Sequence, residues 1–143
     1  MINFDIGAAR FNYRVAAVCL HQDHVLTVKP DNEDFWFLPG GRVEMLEDSA
    51  TALRRELREE LGVEAEIGRL LWLVENFFGG RESAYHELCL YYLVPLAGFP
   101  ALCQVERPFL CRDEPHLCFQ WQPLATLNTL NLLPSFLPER LRR

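Results

Sequence analysis

Residues 41–63, GRVEMLEDSATALRRELREELGV, decide how the rest of the chain is read. Asp48 or Ser49 can accept from the open N–H groups of a first helical turn, and Gly62 stands where a C-terminal cap glycine belongs. Between them Ala50, Leu53, Leu57 and Leu61 recur at helical spacing, which predicts a helix with one buried stripe. The same helix carries Glu56, Glu59 and Glu60 at i, i+3 and i+4. At about 100° per residue, Glu56 and Glu60 lie about 40° apart on the flank of that stripe, with Glu59 further round. Like charges at this spacing repel by a few tenths of a kcal/mol, and by more when partly desolvated.

A solvated face neutralised by Arg54, Arg55 and Arg58 would explain an ordinary run of this kind. Here the glutamates flank the apolar stripe rather than oppose it, and they follow the turn LPGG (38–41), whose backbone carbonyls are free to act as ligands. A hard cation such as Mg²⁺ takes oxygens of this sort, usually one or two carboxylates with waters and substrate phosphates. The segment therefore reads as half of a metal site.

Outward from the helix the chain is rich in strand signals. RVAAVCL (14–20) and HVLTVKP (24–30) form an expected hairpin across the polar HQD, and FWFLPGG (35–41) is an expected short aromatic strand ending in a turn. Strand-like runs follow at 63–78 and 86–96, separated by GGRESAY, and again at 118–124. The tail from Leu124 to Arg143 reads as a short helix, a break at Pro134 and a second short helix. No repeat or low-complexity linker interrupts residues 1–143, so one domain is expected. One helix among strands and more helix at the end predict a mixed α/β (α+β) fold, its sheet covered by helices.

Composition narrows the function. Half of the 143 residues are hydrophobic, and the net charge is −6, with 20 acidic against 14 basic residues. That balance argues against binding to nucleic acid backbones in bulk or to anionic membranes. It leaves room for one phosphorylated small molecule, because a bound cation reverses the local field. The five cysteines form no Cys-x-x-Cys pair and read as free thiols. No basic segment precedes the first apolar run and no apolar stretch approaches membrane-spanning length, so a cytoplasmic protein is expected. His21, His24, His86 and His116 make no metal set by spacing.

Residues 41–63 also resemble the Nudix box of the Nudix hydrolases, through Gly41, Glu47, Arg55, Glu56, Leu57, Glu59, Glu60, Gly62 and Val63. The likeness in strand order and length extends over nearly the whole chain. It implies the Nudix fold, a mixed β-sheet sandwiched between helices, and hydrolysis of a diphosphate bond in a nucleoside diphosphate linked to a further group. By the same resemblance Glu56 and Glu60 are principal Mg²⁺ ligands, with Mn²⁺ an alternative ion. Glu59 contributes, and so does a backbone carbonyl at Gly41 or Gly40. Glu47 and Arg55 orient those ligands from behind. The family often dimerises, which leaves a homodimer open.

Three questions stay open at this stage. The general base lies either in the box or in a later loop, where Asp113 and Glu114 are candidates; Glu75 and Glu87 sit in strand-like runs that could face a cleft. The substrate is a nucleoside triphosphate or another nucleotide derivative; no proline lies shortly downstream of the box, which weakens an ADP-ribose reading. The alternative to an enzyme is a catalytically silent, nucleotide-sensing module of the same fold.

Overall fold

A computed structural model describes residues 1–142; Arg143, the end of the expected second tail helix, lies outside them. The architecture is the mixed α+β arrangement expected, with its strands shared between two sheets. The first contains β1 (Asn3–Ile6), β2 (Ala9–Val18), β5 (Gly40–Arg42), β6 (Leu70–Gly79) and β7 (Ala84–Leu93). Its order is β1-β2-β7-β6, with β5 also on β2. β2 and β7 run parallel, from Ala9 opposite Ala84 to Val18 opposite Leu93, while the other pairs are antiparallel. The second sheet orders β3 (Leu20–His21), β4 (His24–Pro30), β9 (Leu117–Pro123) and β8 (Phe109–Leu110), all antiparallel.

β2 explains the long apolar run at its end. Val15 and Ala17 point into one core with Leu53, Leu57, Leu26 and Phe119; Ala16 and Val18 point into a second with Leu127, Leu132 and Leu137. Successive strand residues face opposite sides, so a strand covered on both faces is apolar throughout. Helix α1 (Ser49–Leu61) supplies the first layer. A 3-10 turn (Leu124–Thr129) and α3 (Leu137–Leu141) supply the second, and the short α2 (Pro100–Cys103) packs Leu102 and Cys103 against the first core. Leu53 and Leu57 are wholly buried, each contributing about 1.5–3 kcal/mol in removal from water.

The structure departs from the expected elements in four places. The run 14–20 is not one arm of a hairpin. It crosses between sheets at buried Cys19, and only Leu20–His21 pairs with β4 around the Gln22–Asp23 turn. Residues 35–37 make only isolated bridges, at Trp36 and Phe37, whereas Gly40–Arg42, expected as turn, is the strand. The run from Val63 becomes a strand only at Leu70. In α1 the buried alanine is Ala52 rather than Ala50, and Glu60 joins the buried face. In α1 the buried arc is set by what packs against the helix rather than by the ideal wheel. Among the described residues no helix is long and apolar enough to cross a membrane, and all five cysteines are free thiols.

Candidate active site

α1 is held at both ends. Thr51 N–H donates to the Asp48 carboxylate (2.8 Å), and Gly62, at φ +71°, closes the helix with its N–H on the Arg58 carbonyl (2.9 Å). A side chain at Gly62 would overlap the Arg112 guanidinium. Arg112 N–H in turn donates to the Glu60 carbonyl (3.0 Å), so the loop carrying Asp113 and Glu114 is tied to the end of α1.

Opposite the middle of α1 run the two glycines of β5. Gly40, at φ +153°, presses against the Val15 carbonyl, where no Cβ fits. Gly41 faces the Glu56 carboxylate, which occupies the space that a side chain would need. The bare backbone thus lets a carboxylate approach a strand edge, as a carbonyl-plus-carboxylate donor set requires.

Arg55 is the hub behind this contact. Its Nε and Nη2 donate to the two carboxylate oxygens of Glu47 (both 2.9 Å). Nη2 also reaches the Arg42 carbonyl (3.1 Å), and Nη1 donates to Glu56 Oε1 (2.9 Å). Glu47 accepts from Glu44 N–H as well (3.1 Å). The fork geometry of arginine locks loop, strand and helix together. Its partner holds the Glu47 carboxyl well below the usual range.

Glu60 and Glu56 are the unusual groups. Glu60 is only 5% exposed, and its Oε2 has no hydrogen-bond partner. Burial, then the charges of Glu56 and Asp113, push its pKa up to about 9. Glu56 is raised as well, by burial first, with Arg55 pulling against that. Carboxylates kept this dry and this close to one another favour a proton, or a cation, between them. Glu59 takes a different position: its side chain is 45% exposed and 3.6 Å from Arg55 Nη1.

A cavity of about 250 Å³ is lined by Glu56, Glu60, Gly40, Gly41, Asp113 and Glu114, together with Arg14, Arg42 and Phe37. The box residues and the later-loop acids of the sequence reading thus meet in one place. Cys111 Sγ donates to Asp113 (3.0 Å), and Glu114 pairs with His116 (2.9 Å). Among the described residues no three His, Cys, Asp or Glu side chains converge tightly enough to hold a metal ion as they stand; Glu56 is engaged by Arg55 and Glu59 lies aside. The donor chemistry nonetheless suits a hard cation: oxygens only, one of them an unpartnered, buried carboxylate oxygen.

A second groove, also about 250 Å³, continues past Arg14 and Phe37, which line both. Its floor includes Asn76, Glu87 and Tyr91. Glu87 was a candidate for the cleft and lines this groove; Glu75 is exposed. Arg14, Arg42 and Asn76 had no signal in the sequence, since each is placed by strand pairing, of Arg14 with Arg42 and Cys89 and of Asn76 with Glu87. A larger hollow of about 580 Å³, between the β3–β4 hairpin and α2, contains His21, His24, Cys103 and Trp121 and none of the box residues.

The chain belongs to the NUDIX domain family, whose sequence profile it matches over residues 10–140. It thereby falls among the Nudix-type hydrolases, a family acting on diphosphate bonds and generally using divalent metal ions. It is similar to diphosphoinositol polyphosphate phosphohydrolase 2 of Rattus norvegicus, 41% identical over 87 residues, and to the Homo sapiens protein of that name, 40% identical over the same length. In both cases the match covers 58% of this chain and 46% of the relative, so the chain spans about half the length of the curated relatives it matches. In structure it resembles the MutT NUDIX hydrolase of Burkholderia pseudomallei, with a TM-score of 0.61 and 25% identity over 80% of this chain and 84% of that one. The MutT protein of Methanosarcina mazei Go1 shares the fold at 20% identity, with a TM-score of 0.60 over 90% of this chain and 88% of the other.

Proposed function

We propose that this chain hydrolyses a phosphoanhydride bond in a nucleoside diphosphate linked to a further group, with a divalent cation, Mg²⁺ or Mn²⁺, held by Glu56, Glu60 and the carbonyl of Gly41 or Gly40. The observation that carries the reading is Glu60, a nearly buried carboxylate with an unpartnered oxygen, beside a second raised carboxylate on a bare strand edge. A cation bound there screens phosphate charge and eases the deprotonation of water. Glu59, from its exposed position, would join through solvent-side contacts.

The chain's own side chains supply the remainder. Arg14 and Arg42, adjacent across β2 and β5, grip the anionic phosphates. Arg55 and Glu47 fix the direction of Glu56 and hold β5 against α1. Asp113 takes the proton from the attacking water in this reading, because its charge is felt by both Glu56 and Glu60; Glu114 is the other acid on that loop. Raised, coupled carboxylates in a cleft are where such work is expected. The free cysteines suit a reducing cytoplasm.

The competing reading is a silent nucleotide-sensing module, favoured by one observation: the Arg55–Glu56 ion pair engages an expected ligand. Phosphate and pyrophosphate release across nucleoside triphosphates, nucleotide sugars, ADP-ribose, dinucleoside polyphosphates and diphosphoinositol polyphosphates decides between them. Turnover that vanishes with chelator and in Glu60→Gln is expected. Nucleotide binding without metal-dependent release of either product would establish the sensor.

A further inference from the structure

The groove past Arg14 has a chemistry of its own. In register across the first sheet, Asn12 of β2, Glu87 of β7 and Asn76 of β6 form one row on one face. Glu87 is held 3.9 Å from Arg14 Nε, with 15% of its side chain exposed. Burial raises the Glu87 carboxyl above its usual range, and the charges of Arg14 and Arg42 beside it pull the other way. Phe37, Tyr91 and Pro134 provide flat apolar walls beside this row. An amide next to a carboxylate presents, in order, one donor and two acceptors.

We propose that this groove recognises a nucleobase and that Glu87, with Asn76, selects guanine. A guanine edge offers the complementary order: the O6 acceptor, then the N1–H and N2–H donors. Adenine and cytosine would turn a ring nitrogen acceptor toward the carboxylate, and uracil has one donor between two acceptors. An acceptor facing a half-buried carboxylate leaves both unsatisfied, which is how a polar site rejects a wrong ligand. The balance of charge points the same way. The two connected cavities are lined by six carboxylates and only two guanidiniums, Arg14 and Arg42. That cleft has cations enough for a short phosphate chain but not for a cyclitol phosphorylated on every side, which needs a basic surround.

The inference rests on the hydrolase reading for the position of the phosphates, but its test needs no turnover. Binding of GDP, ADP, CDP and UDP is measured by calorimetry with Mg²⁺ present, for the unaltered chain, Glu87→Gln and Asn76→Ala. The expected result is GDP bound about tenfold or more tighter than the others, with that margin lost in Glu87→Gln and reduced in Asn76→Ala. Circular dichroism of each variant guards against misfolding, and the comparison among bases within the unaltered chain stands without any variant. Equal affinity for the four, or a guanine margin that survives Glu87→Gln, overturns the assignment. A guanine margin with no hydrolysis of any substrate would instead sink the hydrolase reading alone. Turnover lost in Glu60→Gln but indifferent to the base would sink only the selection.

Discussion

Gly41 sits against Glu56 so closely that a methyl group on the glycine would occupy the place of the carboxylate. Gly41→Ala should therefore push Glu56 off the strand edge while leaving the rest of α1 in its core. We expect a loss of about 1–3 kcal/mol from overpacking, read as a fall of several degrees in Tm, and a loss of activity far larger than that destabilisation explains. Unchanged turnover in a folded Gly41→Ala protein would show that Glu56 need not approach β5.

Glu60 makes stability depend on pH with a definite sign. Its ordinary value is 4.5 and its folded value is about 9, so between those limits the folded state binds more protons than the unfolded. Stability without metal should fall as pH rises through that window and level off outside it. Added Mg²⁺ takes over the role of the proton, so the Tm gain from Mg²⁺ should be greater near the upper end of the window. Differential scanning fluorimetry compares the chain with Glu60→Gln, whose profile should be flatter; parallel profiles would remove Glu60 as the cause.

Arg55→Lys keeps the charge and removes the fork. A lysine cannot serve Glu47, Glu56 and the Arg42 carbonyl together. Activity should drop about 10–100-fold, the usual cost of losing a residue that orients a ligand, with the fold retained. A kinetic profile matching the unaltered chain would mean that the Glu47–Arg55 pair is merely a surface contact.

Asp113→Asn and Glu114→Gln separate the two acids of the later loop. The first should lower kcat by roughly 10²–10⁴-fold. The second should change kcat by less than the first. The reverse order would transfer the proton-taking role to Glu114.

Gly62→Ala tests the other end of the helix. The residue is left-handed and its missing side chain makes room for Arg112. A cost of roughly 1–2 kcal/mol is expected for the backbone alone, with a further effect on activity because the Asp113 loop is anchored at that point. Denaturant melts and kinetics on the same variant distinguish the two.

The helix, its caps and its carboxylates were legible because their contacts are local: Asp48, Gly62 and the i, i+4 glutamates interact within four residues. The mixed α+β class followed from the alternation of strand and helix signals. What stayed hidden depends on distance along the chain. Cys19 as a crossing between sheets, Gly40–Arg42 as a strand, and Arg14 and Asn76 as cleft residues are decided by partners many residues away. Ala52 replaced Ala50 in the buried face for the same reason. Glu60 was expected on the flank of the stripe, yet only packing against β2 and the later loop reveals how dry it is.

The parallel pairing of β2 with β7 joins residues 9–18 to residues 84–93, and β4 waits for β9 at residues 117–123. During synthesis, neither sheet can close on the early strands until most of the chain has emerged. Val25, Leu26 and Val28 of β4 stay uncovered until then, and the loop bearing Asp113 arrives between the two closures. Contacts so distant along the sequence make folding slow and expose sticky intermediates to aggregation. The glutamate helix can form early, but its catalytic surroundings come into being only with the last strand, so a nascent or truncated chain should be inactive before it is unstable.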